Sequence, residues 1–357
     1  MSTTIHDVAR TSGVSTATVS RALAGSPGVA AATRARVARA ARELGYVPNR
    51  AARQLVTGRG YSVGLVLPDL ENSFYSSVTK GVQQRVRAAG FTAVVADTDE
   101  DVETERAVLE QLAAGIDRLI LASPRVPDED LLELSTRADL VLINRQVPAR
   151  PGAGAAGAGD GHVVRDGIAS VVPDNASGIA QSIRHLRNLG HRRIGYAGGP
   201  GTSWSDARRR AAYRADSQGV QIVDLGAFRP GQAGGVTAAD EAIATGVSAV
   251  LAFNDQLAIG MLGRFAARRV AVPEQISVVG FDDVQVAALL APALTTVAVP
   301  AKRMGARAVD LLLATHAPAR RFRPSPVQSV EAVELQVRAS TAEPFQPPAG
   351  AGSAPVE

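Results

Sequence analysis

An all-α helix-turn-helix head with a short hinge helix, followed by an α/β core of two doubly wound parallel-sheet lobes, is the fold class that this sequence predicts. Three observations predict it. Basic charge is concentrated at the start of the chain. Two short amphipathic segments there meet at Gly13. From Tyr61 onward, apolar runs of strand length alternate with helical periodicities, in two series.

The 357 residues carry a formal net charge of +4. Up to Gly60, nine arginines stand against Asp7 and Glu43, which gives +7 there and leaves −3 for the remainder. Lys80 and Lys302 are the only lysines, so the preference for arginine is general, but its clustering is not. A basic head on a mildly acidic body points to a polyanion as the partner of the head alone. The absence of cysteine excludes disulfides, thiolate metal sites and cysteine nucleophiles. His6, His162, His185, His191 and His316 are scattered without zinc-ligand spacing, so neither a metal nor a cofactor is expected. No apolar run approaches the roughly 18 residues of a membrane span. The start, MSTTIHDVAR, lacks the basic and apolar parts of a secretory leader. A cytoplasmic chain with no membrane partner is the expectation.

In the head, Thr4 is placed to cap a first helix with Asp7 three residues on, and Ile5, Val8 and Ala9 mark its packing face. Gly13 supplies the positive φ that a sharp turn needs. Ser15 caps a second helix, Thr16 to Ala24, whose Val19 and Leu23 face the first. Gly25-Ser26-Pro27-Gly28 ends it. A third, basic helix runs from about Ala32 to Leu44, with Val37, Ala40, Ala41 and Leu44 as its packing face, and stops at Gly45. At the front of the second helix, Thr16, Ala17 and Thr18 are small enough to approach base edges, and Arg21 has the reach for a bidentate guanine contact.

The run TIHDVARTSGVSTATVSRALAG, with TRARVARAARELGYVPNRAARQL after it, resembles the head of the LacI/GalR family of bacterial repressors. The resemblance places Thr16, Ala17 and Arg21 at base-reading positions. It makes the stretch from Asn49 through Arg50 and Arg53 to Leu55 a hinge helix, with Leu55 as a minor-groove wedge. Ala30 stands where the family has a capping serine, a change that costs about 1 kcal/mol of cap. A hinge as short as AARQL is not helical alone in water, so it is expected to fold when two copies meet in a minor groove.

The body begins with the strand SVGLVLP and a helix from Tyr75 to Ala89. FTAVVAD, a helix from Val102 to Ala114, DRLILAS and ADLVLINR follow. The pattern restarts at Ala169 with SVVPDN, a helix to Leu189, HRRIGYAGG, a helix around Arg208 to Ala215, SAVLAFND, a helix through Ala267, and SVVGFDD. Ligands of open α/β sheets sit at the carboxyl ends of strands. The residues there are Asp69, Asn72, Phe74, Tyr75, Asp97, Ser123, Asn144 and Arg145 in the first series, and Trp204, Arg209, Phe228, Asn254 and Asp282 in the second. Bidentate polar groups mixed with flat rings suit a polyhydroxylated small molecule. PDLENSFYSSVTKGV, AFNDQLAIG, VVGFDD and PALTTV resemble the core of the same family and, more distantly, periplasmic sugar-binding proteins. By that resemblance Phe74, Arg209, Asn254 and Asp282 contact an effector. NSFY replaces the usual NPFF, and Ala212 replaces the usual glycine before the aromatic at Tyr213.

The expected domains are a DNA-binding head over 1–47, a hinge over 48–60 and a two-lobed effector-binding and dimerisation body over 61–342. Lobe 1 is read as 61–148 plus 296–326 and lobe 2 as 169–294 plus 327–342. A Gly/Ala-rich insert spans 149–168, and 343–357 forms a disordered tail. The expected function is that of a sequence-specific repressor, a homodimer on a near-palindromic double-stranded DNA operator, controlled by a carbohydrate effector. A purine-type corepressor is the alternative within that class. An enzyme using Asp69, Asp97 and Asp282 on a glycoside is disfavoured, because no nucleophile elbow, Walker lysine or metal set is present. A transport receptor is disfavoured by the basic head and the missing leader.

Overall fold

The computed structural model describes residues 3–23, 28–46, 62–147, 167–215, 219–315 and 327–345. The chain forms two compact units that divide between Tyr61 and Ser62. Residues 48–60, nearly all of the 149–168 insert and the tail beyond Phe345 lie outside the described residues.

The first unit holds helices α1 (Ile5–Ser12), α2 (Thr16–Leu23) and α3 (Ala31–Glu43). The Asp7 carboxylate accepts from both the N–H and the hydroxyl of Thr4, at 2.9 and 2.7 Å, and closes the capping box. Gly13 ends α1 at φ 67°. Val8, Val19, Ala22, Val37, Ala40 and Ala41 make the buried core of the three helices. Ala30 offers α3 no side-chain cap. The inter-helix corner is secured instead where Arg36 donates to the Ser12 carbonyl at 3.0 Å.

The second unit contains two six-stranded sheets. The chain runs β1 (Ser62–Leu67), α4 (Ser73–Ala88), β2 (Thr92–Asp97), α5 (Val102–Ala113), β3 (Arg118–Ala122), α6 (Asp128–Arg137), β4 (Asp139–Ile143), β5 (Ala169–Pro173) and α7 (Asn175–Asn188). It continues with β6 (Arg193–Gly198), α8 (Trp204–Ala215), β7 (Gln221–Ala227), α9 (Gln232–Thr245), β8 (Ala249–Ala252), α10 (Asp255–Ala267) and β9 (Ser277–Asp282). After a 3₁₀ turn (Gln285–Leu289) come β10 (Thr295–Ala298), α11 (Ala301–Thr315), β11 (Gln328–Glu331) and β12 (Glu334–Gln336). The strand orders are β11-β5-β4-β3-β1-β2 and β12-β10-β9-β8-β6-β7. Only β12 runs antiparallel to its neighbour among the described pairings. Central strands such as β3, β4 and β9 are buried at every position, as a sheet covered on both faces requires.

This topology corrects the lobe boundaries read from the sequence. Ala169–Pro173 pairs with β4 and β11 in the first sheet, so the restart of the pattern at Ala169 is not the start of lobe 2. Thr295–Ala298 belongs to the second sheet and Gln328–Glu331 to the first, the reverse of the assignments made at 296 and 327. A strand's own residues record that it is buried, but they do not record which neighbour it pairs with. The elements α6, β7, α9, β10, α11, β11 and β12 were not resolved by sequence reasoning. β7 is an edge strand of mostly half-buried or exposed residues, and α9 is an Ala/Gly-rich helix without a strong apolar stripe.

Helix α11 packs on α4 so closely that a Cβ at Gly81 would overlap the Lys302 carbonyl, and one at Gly305 would overlap the Val78 carbonyl. Gly305→Ala is therefore expected to destabilise the body by about 1–3 kcal/mol despite alanine's better helix propensity. Urea unfolding of the variant measures it, and an unchanged midpoint would show that the helices can separate freely.

His191 closes the lower side of the second sheet. Its Nδ1 lies 2.9 Å from Ser248 Oγ, and its Nε2 lies 3.1 Å from Ser277 Oγ and 2.9 Å from the Ala342 carbonyl. A neutral ring protonated at Nε2 serves all three partners. Burial pushes the His191 pKa below 6.5, and burial does the same to His185, which bonds Thr341 at 2.9 Å. The folded state therefore binds fewer protons than the unfolded one at these sites. Their contribution is complete above pH 6.5 and is lost as the pH falls through and below that value. The urea midpoint should decline between pH 7.5 and 5, and it should decline less in His191→Gln.

Candidate functional site

On α2, Ala17 and Arg21 are exposed one turn apart, and Thr16 is half-buried at the helix start. The Nε of Arg21 donates to the Ala17 carbonyl at 3.3 Å, a long bond that leaves the end of the guanidinium uncommitted. Thr18 has a different task. Its N–H donates to Ser15 Oγ at 3.2 Å and the two hydroxyls lie 2.9 Å apart, so its hydroxyl helps start the helix. Asn49, Arg50, Arg53 and Leu55 lie outside the described residues.

In the body, the strand ends of both sheets supply one cluster of polar groups. The Nδ2 of Asn144, just past β4, donates to Ser123 Oγ beyond β3 at 2.9 Å, and Ser205 Oγ on α8 donates to Asn144 Oδ1 at 2.7 Å. Ser123, Asn144 and Asp282 have φ values of 50°, 59° and 120°. Non-glycine residues in that region carry strain that a packed framework must hold, and such positions gather at functional sites. Tyr75 is buried beside Ser123, and burial raises its pKa.

Arg209 is almost fully buried. Its Nε donates to Asn175 Oδ1 at 2.8 Å and its Nη1 to the Phe253 carbonyl. The guanidinium carbon lies 3.5 Å from the centre of the Phe281 ring, an arrangement that stabilises a desolvated cation. Asp282 faces this charge from the end of β9, 9% exposed, and no hydrogen bond within the described residues reaches its carboxylate. Burial raises its pKa well above the usual range, against the opposing pull of Arg209. Behind it, Asp255 accepts from Thr296 Oγ1 at 2.5 Å and the Val284 N–H at 2.9 Å, and burial lifts it to about 7.

Several sequence-predicted residues have structural partners. Arg145 turns away from the cluster: its Nη1 donates to the Pro124 carbonyl at 2.8 Å and its Nη2 to Asp128 at 2.7 Å. Its two Nη groups are thus held at the acidic start of α6, while its buried Nε has no partner among the described residues. Asn72 and Asn254 cap α4 and α10 by accepting from the Phe74 and Leu257 N–H groups, each at 3.0 Å. Asp97 is exposed and accepts from the N–H groups of Leu70 and Asp99, holding a loop. Asp69 accepts from the Glu71 N–H, and burial raises its pKa. Phe74 is buried. Trp204 and Phe228 are half-buried, following β6 and the edge strand β7 in the chain, with Arg208 stacked on the Trp204 ring at 5.0 Å.

Sequence reasoning missed Asn175, Ser205, Phe253 and Phe281, which meet Arg209 or Asn144 from four separate segments. It also missed what fixes α8. Asp206 accepts from Tyr196 Oη at 2.8 Å, the Gly199 N–H at 2.7 Å and Arg210 at 2.6 Å, while Arg210 also donates to Asp224 at 2.5 Å. The i,i+4 spacing of Asp206 and Arg210 was the one available signal. Among the described residues no group of three or more His, Asp or Glu could hold a metal ion, and no helix is long and apolar enough to cross a membrane.

Residues 4–49 match the family described as bacterial regulatory proteins, lacI family, and residues 183–341 match the periplasmic binding protein-like domain. The HTH-type transcriptional regulator GalS of Salmonella typhimurium is 34% identical over 318 residues, which cover 87% of this chain and 89% of that protein. The chain belongs to the LacI family. Among solved structures, the lac repressor dimer bound to operator and the anti-inducer ONPF matches with a TM-score of 0.79 at 25% identity, over 96% of this chain and 100% of that one. A complex of the transcriptional regulator CelR with cellobiose matches at 29% identity and a TM-score of 0.64, over 95% and 99% of the two chains. The LacI-family protein is thus a DNA-binding transcription regulator with a small-molecule effector.

Proposed function

We propose that the protein is a repressor whose head reads operator bases through Thr16, Ala17 and Arg21, with Thr18 fixing the start of that helix, and whose lobes bind a carbohydrate effector around Arg209 and Asp282. One observation carries the effector reading: Asp282 is nine-tenths buried, bonded to no described residue, and faces an equally buried Arg209. A desolvated carboxylate without donors is costly unless a ligand supplies them. Tyr75, Ser123 and Asn144 complete the polar wall, and Phe74, Trp204 and Phe228 offer flat faces for a sugar ring. The residues from Asn49 to Leu55 act as the hinge. The cellobiose complex of CelR supports a sugar over a purine.

The active form in this reading is a homodimer on a near-palindromic operator, since two heads related by a dyad double both interface and specificity. The lac repressor dimer on its operator supports this. Sedimentation with and without operator, and operator titration with and without sugars, test it together. A dimer whose operator affinity shifts with one sugar is expected. A monomer with full operator affinity, or a dimer indifferent to every sugar, would count against it.

A further inference from the structure

We infer that the effector is an uncharged polyol, and that the cleft rejects phosphorylated and acidic versions of the same sugar. This rests on the proposed effector site and goes beyond it by fixing the charge of the ligand. Arg209 and Asp282 attract one another, yet no hydrogen bond joins them. A hydroxyl can donate to the carboxylate and accept from the guanidinium, so it serves both at once. A phosphate can satisfy only the guanidinium unless Asp282 takes up a proton, and it brings its charge beside two buried carboxyl groups, Asp282 and Asp255.

Most of the other cations at these strand ends are already committed, with exposed Lys302 beyond β10 and Arg208 on α8 the exceptions among the described residues. Arg125 beyond β3 makes a two-pronged ion pair with Glu100, at 2.8 and 3.1 Å. Arg145 beyond β4 pairs with Asp128, Arg210 on α8 with Asp206 and Asp224, and Arg229 beyond β7 with Asp99 at 2.7 Å. Arg208 is exposed and stacked on Trp204. Even Arg209 spends Nε and Nη1 on neutral acceptors within the protein.

Several helix N-termini, the other common anion sites, are occupied as well. Asn72, Asp174 and Asn254 already accept from first-turn N–H groups of α4, α7 and α10. Ser203 Oγ accepts from the Asp206 N–H on α8, whose first turn carries that carboxylate. Helix α9 starts at Gly231 without a side-chain cap, but it follows the edge strand β7. Around Arg209 an incoming anion would therefore meet the carboxyl groups of Asp282 and Asp255 and the filled cap of α10, whereas a neutral polyol meets paired donors and acceptors.

The test uses the full-length protein and calorimetric titration with matched probes: neutral hexoses and disaccharides, the 6-phosphate and uronic acid of each hexose, and free nucleobases. At least one neutral sugar is expected to bind, and its phosphate or acid should bind at least about thirty-fold more weakly. Asp282→Asn should weaken the neutral sugar and narrow that gap, since the repelling charge is gone. A phosphorylated sugar that binds as tightly as its parent and loses that affinity in Arg209→Ala overturns the charge rule while leaving the site in place. A neutral sugar whose affinity survives both Asp282→Asn and Arg209→Ala overturns the site itself. Binding confined to anions or nucleobases, or no binding by any neutral probe, also overturns the inference.

Discussion

Replacing Arg21 by alanine should weaken operator binding by about 1–3 kcal/mol in each half-site, and so by about 2–6 kcal/mol for a dimer on both. The loss should be confined to one base position per half-site. Arg21 is exposed on α2 and held only by a 3.3 Å bond to the carbonyl one turn back, so most of its donors are free for a guanine edge. Arg50→Ala or Arg53→Ala should instead weaken all DNA alike and flatten the dependence on salt, as loss of a phosphate contact does. Binding to a randomised operator library distinguishes the two patterns. A base preference unchanged in Arg21→Ala would put the reading face elsewhere on the head.

Asp282→Ala should leave operator binding and dimerisation intact while raising the effector concentration needed for a response by roughly a hundred-fold or more. The carboxylate is only 9% exposed, so hydroxyls that lose it lose an acceptor that water replaces poorly. An effector moves the operator equilibrium only through its different affinities for two lobe arrangements. A weaker ligand therefore still works, but at higher concentration. Paired titrations of sugar and operator on the variant measure both effects. Unchanged sugar affinity would remove Asp282 from the site. Lost operator binding in a folded dimer would make it a residue of the lobe framework.

The head was legible almost to the residue because its signals are local. The Thr4–Asp7 capping box, Gly13 at φ 67° and the buried faces of α1 to α3 all depend on neighbours within a few positions. The body was legible as alternation but not as partnership. Nothing within Ala169–Pro173 states that it lies beside β4, and nothing around Arg145 states that Asp128 will claim its guanidinium. Asp282 could be named because strand ends can be read one at a time, and Arg209 because of the family resemblance. The groups that hold Arg209, namely Asn175, Phe253 and Phe281, come from three separate segments, on α7, after β8 and in β9, and meet only once the second sheet is assembled.

The chain passes between the sheets after β5, after β10 and after β11. A gene fragment stopped before Ala301 would encode all of the second sheet except β12, while taking α11 and β11 from the first. Cutting instead at Asp174 leaves α11 and β11, which pack on and pair with the first sheet, on the wrong piece. Neither lobe can therefore be cloned as a contiguous insert, grafted onto another head, or inherited by simple shuffling of exons or operon segments. Chimaeras that swap effector response between relatives have to exchange the whole body from Ser62 onward, and libraries built by recombination inside it should yield mostly unfolded chains.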